Sequence, residues 1–130
     1  MHTIKLRTNK RAEFLDITSQ VEEKVREVAK GICLVFCPHT TAGLTINENA
    51  DPDVQKDILA HLEKMVPEQG RFRHAEGNSD AHIKSSLLGF SLQIIIDQGK
   101  LVLGTWQGVY FCEFDGPRSR NVFIKIIADK

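Results

Sequence analysis

The stretch from Ser91 to Ile127, SLQIIIDQGKLVLGTWQGVYFCEFDGPRSRNVFIKII, decides the fold class. It contains four short apolar runs, and turn residues separate them at Gln98-Gly99 and at Asp115-Gly116-Pro117. Short apolar runs at this spacing are typical of antiparallel strands joined by hairpins. We expect strands at residues 91–96, 101–103, 109–114 and 121–127.

Further strands are predicted upstream of this stretch. Apolar or alternating runs place them at residues 2–7, 13–17, 31–37 and 42–47. The run Gly31–Cys37, GICLVFC, has no polar residue, so we expect both of its faces to be buried. Strands at both ends of the chain and helices between them favour an α+β fold with a mainly antiparallel β-sheet.

Two longer helices and one short helix are predicted between the strands. Ser19 and Glu22 fit a capping box for a first helix that ends at Gly31. Asp51 and Pro52 suit the N-cap and first position of a second helix. A short third helix begins at residues 78–80 and ends at residue 89. We expect residues 1–130 to form a single domain.

The composition narrows the class of protein. Lys and Arg together number 17, as do Asp and Glu, so the formal net charge is zero and nucleic-acid binding is disfavoured. No apolar run is long enough to cross a membrane, and the N-terminus lacks a signal-peptide pattern. We therefore expect a cytoplasmic protein without nucleic-acid or membrane partners. The three cysteines do not suggest a disulfide framework.

Polar residues gather where the apolar elements end, and these places hold the candidate site residues. On a continuous helix His74 and His82 would lie about 12 Å apart, so a chain break at Gly77-Asn78 is needed to bring them together. The start of the third helix also suits a phosphate group. The candidates are His39, Thr40, Asn47, Glu48, His74, Asn78, Asp80, His82, Ser85, Gln107 and Arg118.

Three histidines with an open position are also typical of a catalytic zinc site, so His39, His74 and His82 are candidate metal ligands. The spacing matches no short metal motif and is a weak signal taken alone. A structural role for each histidine therefore remains an alternative. We interpret Trp106 as a packing residue.

Three blocks in order carry a family resemblance: CPHTTAGLTINENAD (37–51), HAEGNSDAHIKSSLLG (74–89) and GTWQGVYFCEFDGPRSRNVFIKI (104–126). They resemble the YjbQ-like family, known as secondary thiamine-phosphate synthases and long regarded as uncharacterised. The resemblance runs from about Ile4 to Ile127. It implies an α+β subunit that assembles as a homotrimer, with a site near the subunit boundary that uses His39, His74 and His82.

The resemblance also implies weak condensation of a pyrimidine pyrophosphate with a thiazole phosphate, which releases pyrophosphate. A divalent metal, with Zn ahead of Mg or Mn, would help to stabilise the charge of the leaving group. We expect His39, Glu48 and Asp80 to act in catalysis and, of Arg118 and Arg120, only Arg118 to contact phosphate. Predicted substrate contacts are Thr40, Asn47, Asn78, Ser85, Gln107 and Arg118.

Two functional interpretations stay open. The first is an enzyme that acts on a phosphorylated or pyrophosphorylated small molecule, for example a transferase of the thiamine-phosphate synthase type. The second is a non-catalytic homotrimer that binds a metal or a phosphorylated metabolite. Histidines and acids at element ends favour the enzyme, whereas the lack of an unambiguous base or nucleophile favours the binding protein.

Overall fold

The computed structural model describes residues 1–130 and confirms an α+β fold with antiparallel sheets. The short helix is the first one, with eight residues, rather than the third, with ten. In chain order the elements are β1 (His2–Arg7), β2 (Glu13–Asp16), α1 (Thr18–Val25), β3 (Lys30–Phe36), β4 (Ala42–Glu48), α2 (Pro52–Met65), α3 (Ser79–Leu88), β5 (Ser91–Asp97), β6 (Lys100–Leu101), β7 (Gln107–Glu113) and β8 (Ser119–Ala128).

The strands form two sheets. The large sheet has the order β1-β8-β3-β5-β6 and the small sheet has the order β2-β7-β4. All pairs are antiparallel. The four C-terminal strands are divided between the two sheets: β7 belongs to the small sheet, and β5, β6 and β8 belong to the large one.

Apolar side chains fill the space between the two sheets. Val35 and Ile124 from the large sheet belong to the same buried cluster as Leu44 and Phe111 from the small sheet. The other face of the small sheet packs against α2 and α3 in a second cluster. The small sheet thus lies between the large sheet and these two helices, and its side chains alternate between the two clusters as strand geometry requires.

The outer face of the large sheet has no such cover. Side chains of β3 alternate, so Cys33 and Val35 are buried while Ile32 and Phe36 are 44% and 36% exposed. The prediction that this strand is buried on both faces is therefore wrong. Ile32 pairs with Ile95 and with Ile127, and these two side chains are exposed as well.

The helix ends follow the sequence signals in part. Asp51 caps α2, because its Oδ1 accepts a hydrogen bond from the Asp53 N–H at 2.9 Å. Gly89 ends α3 with a φ of 102°. The capping box for α1 is wrong: Asp16 Oδ1 accepts from the Thr18 N–H at 2.9 Å, and the helix stops at Val25. None of the helices is long and apolar enough to cross a bilayer.

Candidate functional site

A polar cavity of about 430 Å³ opens where the loop after β3, the segment before α3 and the turn before β8 meet. We call it the histidine cavity, because three of the five histidines of the chain line it. Its lining residues are Pro38, His39, Thr40, Thr41, His74, Glu76, Asn78, His82, Asp115, Arg118 and Arg120.

His74 and His82 lie side by side in this cavity. Their ring centroids are 5.4 Å apart and the ring planes are nearly perpendicular, at 85°. Gly77 has a φ of 77°, a left-handed conformation that suits glycine, and α3 begins two residues later. The expected break in the chain therefore occurs, and it turns His74 back towards the first turn of α3.

His39 reaches the cavity from the loop after β3, and β8 holds its ring in place. Its Nε2 accepts a hydrogen bond from the backbone N–H of Asn121 at 2.9 Å. The ring also packs edge-on to Phe111 with centroids 6.4 Å apart. Burial, and then the nearby positive charge of Arg120, lower the pKa of His39, so the neutral imidazole is favoured.

Arg120 forms the buried floor of the cavity. Its Nε donates to Glu113 Oε1 at 2.9 Å, and its Nη2 donates to Thr41 Oγ1 at 2.8 Å. Burial alone raises the pKa of Glu113, but hydrogen bonds from Arg120 and Thr8 outweigh burial and leave that pKa below its ordinary value. Glu113 is therefore ionised at neutral pH, and the pair is held as charged groups.

Arg118 lies at the rim of the cavity and is oriented by Asp115. The Arg118 Nε donates to the Asp115 carbonyl at 2.7 Å, and its Nη2 donates to Oδ2 of the same residue at 2.8 Å. Asn78 Nδ2 donates to that Oδ2 at 2.9 Å, which leaves Asn78 Oδ1 buried without a partner. Both Arg118 and Arg120 line the cavity, because residues two apart share a strand face, and the expectation that only Arg118 contacts phosphate stays a prediction.

Two further predicted residues lie near the cavity without lining it. Ser85 lines an adjoining pocket of about 300 Å³ that shares His39 and His82, and its hydroxyl donates to the Thr40 carbonyl at 2.6 Å. Asp80 is fully buried, and its carboxylate accepts from Arg11 at 3.1 Å and from Lys84 at 3.0 Å. Asp80 thus anchors α3 rather than facing the cavity.

Three predicted residues lie elsewhere in this chain. Asn47 and Glu48 end β4, and Gln107 pairs with Glu48 at the start of β7. Since β4 enters the small sheet beside the cavity and runs for seven residues, these side chains lie roughly 20 Å from it at extended rise. Trp106, beside them, is 61% exposed, so its interpretation as a packing residue is wrong for the single subunit.

Five cavity residues are absent from the candidates that sequence analysis selected: Pro38, Thr41, Glu76, Asp115 and Arg120. Each lies within three residues of a selected candidate, in the strings PHTT, HAEGN and DGPRSR. The signal that could have found them is the strand period of two, which places Arg120 on the same face as Arg118.

A metal site is not assembled in this chain. No three His, Cys, Asp or Glu side chains are grouped so as to hold a metal ion. The Nε2 of His39 is already hydrogen-bonded to a backbone amide, so only His74 and His82 present both ring nitrogens without such a bond. The predicted divalent metal therefore stays a prediction.

A larger open cavity, of about 820 Å³, lies between α1 and the turn that joins β5 to β6. Its acidic groups already have partners: Asp16 accepts from Thr18, and Glu22 Oε2 accepts from the Leu101 N–H at 3.3 Å. A large volume alone does not indicate a binding site. The histidine cavity is the better candidate because imidazole, guanidinium and amide groups line it together.

Comparison with known proteins gives one consistent result. Residues 2–129 match the profile of the family described as "UPF0047 protein YjbQ-like". The chain is 52% identical over 130 residues to UPF0047 protein YugU of Bacillus subtilis, covering 98% of each protein. It is 56% identical over 127 residues to UPF0047 protein MJ1081 of Methanocaldococcus jannaschii, covering 96% of this chain and 92% of that protein.

Solved structures agree with the sequence comparison. A crystal structure of an uncharacterised YjbQ/UPF0047 protein from Clostridium acetobutylicum superimposes with a TM-score of 0.96 at 60% identity, covering 98% of this chain and all of the other. A conserved hypothetical protein from Thermus thermophilus gives a TM-score of 0.93 at 41% identity, with 98% and 100% of the chains covered.

Proposed function

The chain belongs to the YjbQ-like UPF0047 family, and we propose that its histidine cavity binds a phosphorylated or pyrophosphorylated small molecule. The observation that carries this proposal is an excess of free hydrogen-bond donors. The Nη1 groups of Arg118 and Arg120 donate no hydrogen bond within the chain, although their other nitrogens do. Phosphate oxygens are, with carboxylates, the acceptors that guanidinium groups bind most strongly.

Some acceptors of the cavity, by contrast, are already in use, although Asn78 Oδ1 has no partner. Asp115 Oδ2 accepts from both Asn78 and Arg118, and Thr41 Oγ1 accepts from Arg120. Two guanidinium groups with free donors favour a ligand rich in oxygen acceptors. A cation without acceptor groups of its own could not accept hydrogen bonds from the free donors of the two arginines.

The start of α3 adds to this preference for an anion. The first turn of the helix has no side-chain cap, and the backbone N–H groups of Ser79 and Asp80 donate no hydrogen bond within the chain. Asn78, directly before the helix, lines the cavity. The positive end of the helix dipole therefore lies at the same side of the cavity as His74 and His82.

We propose further that the protein is a transferase of the secondary thiamine-phosphate synthase type, in which a pyrophosphate group leaves. Donors fixed by the fold stabilise a leaving anion without reorganising during the reaction, and Arg120 is fixed by four hydrogen bonds. Glu48 is remote from the cavity in the same chain, and Asp80 is bound to two cations. Neither of these carboxylates supports the proposal from within one subunit.

A divalent metal, when bound, would polarise the phosphate oxygens and supply positive charge to the leaving group. The arginines, the imidazoles and the N-terminus of α3 supply donors of their own, and their role in ligand binding is independent of such an ion.

A homo-oligomer is part of the proposal. The outer face of the large sheet exposes apolar side chains on three adjacent strands: Ile127 on β8, Ile32 on β3 and Ile95 on β5. A contiguous apolar face of this kind is typical of an interface, and the family resemblance implies three subunits. Association of subunits through this face would also bring residues of a second subunit close to the first subunit.

Two measurements test the proposal. Titration with inorganic pyrophosphate, followed by calorimetry, should show saturable binding at one site per chain. A coupled assay should then detect pyrophosphate release when the protein is given a pyrimidine pyrophosphate, a thiazole phosphate and a divalent metal. Binding without release would favour the second candidate, a non-catalytic phosphometabolite-binding protein, which is supported by the remote position of Glu48 and by the two cations that hold Asp80. Absence of binding would sink both.

A further inference from the structure

The bond between His39 and Asn121 determines which nitrogen of the imidazole carries the proton. A neutral imidazole has one N–H donor and one acceptor nitrogen. Because Nε2 accepts the Asn121 N–H at 2.9 Å, the proton of the neutral ring lies on Nδ1. We infer that His39 is a neutral hydrogen-bond donor, through Nδ1–H, to an anionic oxygen of the cavity ligand, and that it is not a metal ligand. This inference rests on the proposed function.

The backbone explains why this bond forms. The strands β3 and β8 pair only as far as Phe36 and Phe123, so the Asn121 N–H has no carbonyl partner on β3. After β3 the chain turns away from the sheet at Pro38. The imidazole of His39 then accepts the Asn121 N–H in place of the missing carbonyl. Turning the ring away would leave a partly buried amide without an acceptor, which proteins avoid.

Nδ1 is free to meet a ligand. It makes no hydrogen bond within the chain, and the only buried side-chain polar atom without a partner is Asn78 Oδ1, so Nδ1 is reached by solvent. The ring forms part of the wall of both the histidine cavity and the adjoining pocket of about 300 Å³. Arg120, whose Nη1 is also free of hydrogen bonds within the chain, lines the same cavity.

This arrangement does not fit the role of metal ligand. A metal on Nδ1 needs the lone pair of that nitrogen, and the single proton of the ring would then move to Nε2. Two N–H groups, those of Nε2 and Asn121, would then point at each other. A metal on Nε2 would displace the amide. His74 and His82 have no such conflict, but two imidazoles alone do not make the three-histidine site that the sequence suggests.

The hydrogen bond from Asn121 needs the lone pair of Nε2, so the imidazole is neutral in this geometry. Burial and the positive charge of Arg120 both lower the pKa of His39. The charged groups that face the ring are Arg120 and its partner Glu113, and both are held in their ionised forms. A neutral donor next to a cation binds a phosphate oxygen without adding a second buried positive charge.

Long-range ¹H–¹⁵N spectra of the metal-free full-length protein test the inference at pH 7. In the free protein we expect the ¹⁵N shifts of His39 to show protonated Nδ1 and unprotonated Nε2. Saturation with inorganic pyrophosphate should then move the Nδ1 signal while Nε2 stays unprotonated. A proton on Nε2, or a doubly protonated ring, would overturn the inference whether or not pyrophosphate binds.

Two substitutions separate the roles of the nitrogens. His39→Asn places an amide N–H near the position of Nδ1, whereas His39→Gln places an oxygen acceptor near that of Nε2. We expect His39→Gln to lose more pyrophosphate affinity than His39→Asn, by about tenfold, since a hydrogen bond to a charged group is worth that much. The reverse order would overturn the donor role.

The two proposals fail in different ways. If pyrophosphate binds to the wild-type protein without moving the Nδ1 signal, the donor role is overturned and the phosphate-binding function stands. If pyrophosphate does not bind at all, the proposed function falls, and the donor role to a phosphate falls with it. The proton position in the free protein is measured in every case.

Discussion

Arg120 and Glu113 form a buried ion pair beneath the histidine cavity, with the Arg120 Nε 2.9 Å from Glu113 Oε1. Glu113 is fully buried and the Arg120 side chain is 5% exposed. Glu113 also accepts from the Thr8 hydroxyl, so the pair joins β7, β8 and the segment after β1. The group that offers a free donor to the ligand is therefore held by the same contacts that hold the fold together.

Replacing Glu113 with Ala should lower the free energy of unfolding by about 3–5 kcal/mol, because Arg120 would remain buried without its counter-charge. Denaturant unfolding followed by circular dichroism measures this loss. The matched control is Glu23→Ala, which removes an exposed ion pair with Arg26 and should cost about 0–1 kcal/mol. Equal losses in the two variants would mean that the pair is no more than a surface contact.

The same carboxylate predicts a pH dependence of stability. The pKa of Glu113 in the folded protein is lower than its ordinary value of 4.5, so the unfolded chain binds more protons as the pH falls. The stabilisation is complete above pH 4.5 and is lost as the pH falls through the lower, folded-state value. Wild type and Glu113→Gln should differ most at neutral pH and converge in acid. A difference that grows as the pH falls from 4.5 would contradict the sign of this shift.

The sequence predicts the strands better than it predicts their burial. Local periodicity and turn residues locate the strands to within a few residues, because these signals act over short distances. The run GICLVFC predicts a strand at the observed position but not its one exposed face, since hydrophobicity alone does not tell a covered face from an exposed apolar one. That distinction depends on what packs above the sheet, which lies far away in sequence or in another copy of the chain.

The site shows a similar limit. His39, His74 and His82 meet in one cavity as expected: His39 and His82 lie near element ends, and the chain break at Gly77 brings His74 back from the loop. Glu48 also lies at the end of an element, yet β4 carries it to the opposite end of the small sheet. A position at the end of a predicted element thus identifies a residue as a candidate for the site. Only the direction of the strands shows which element ends lie close together in space.

The exposed apolar face of the large sheet gives a prediction about assembly. Ile95 is 62% exposed and lies next to Ile32 across the β3–β5 pair. Replacing Ile95 with Lys should place a charge in the proposed interface and shift the protein to a lighter species in analytical ultracentrifugation. Met65→Lys, at an exposed apolar position on α2, is the control and should not change the mass. A wild-type monomer would disprove the interface.

Arg118 provides the most direct test of the ligand. Asp115 binds two of its three nitrogens and leaves Nη1 free at the cavity rim, so the side chain is oriented before any ligand arrives. Arg118→Ala should weaken pyrophosphate binding by about tenfold to a hundredfold, the range for hydrogen bonds to a charged group.

Calorimetric titration in low salt measures this effect. The control is Arg7→Ala, since Arg7 is a surface arginine whose Nη1 contacts Ser119 and which does not line the cavity. Added salt should weaken binding more in the wild type than in Arg118→Ala, because the variant has lost one of the charges that salt screens. Equal affinities in Arg118→Ala and Arg7→Ala would show that the anion binds through the general charge of the surface, and the rim arginine would then have no specific role.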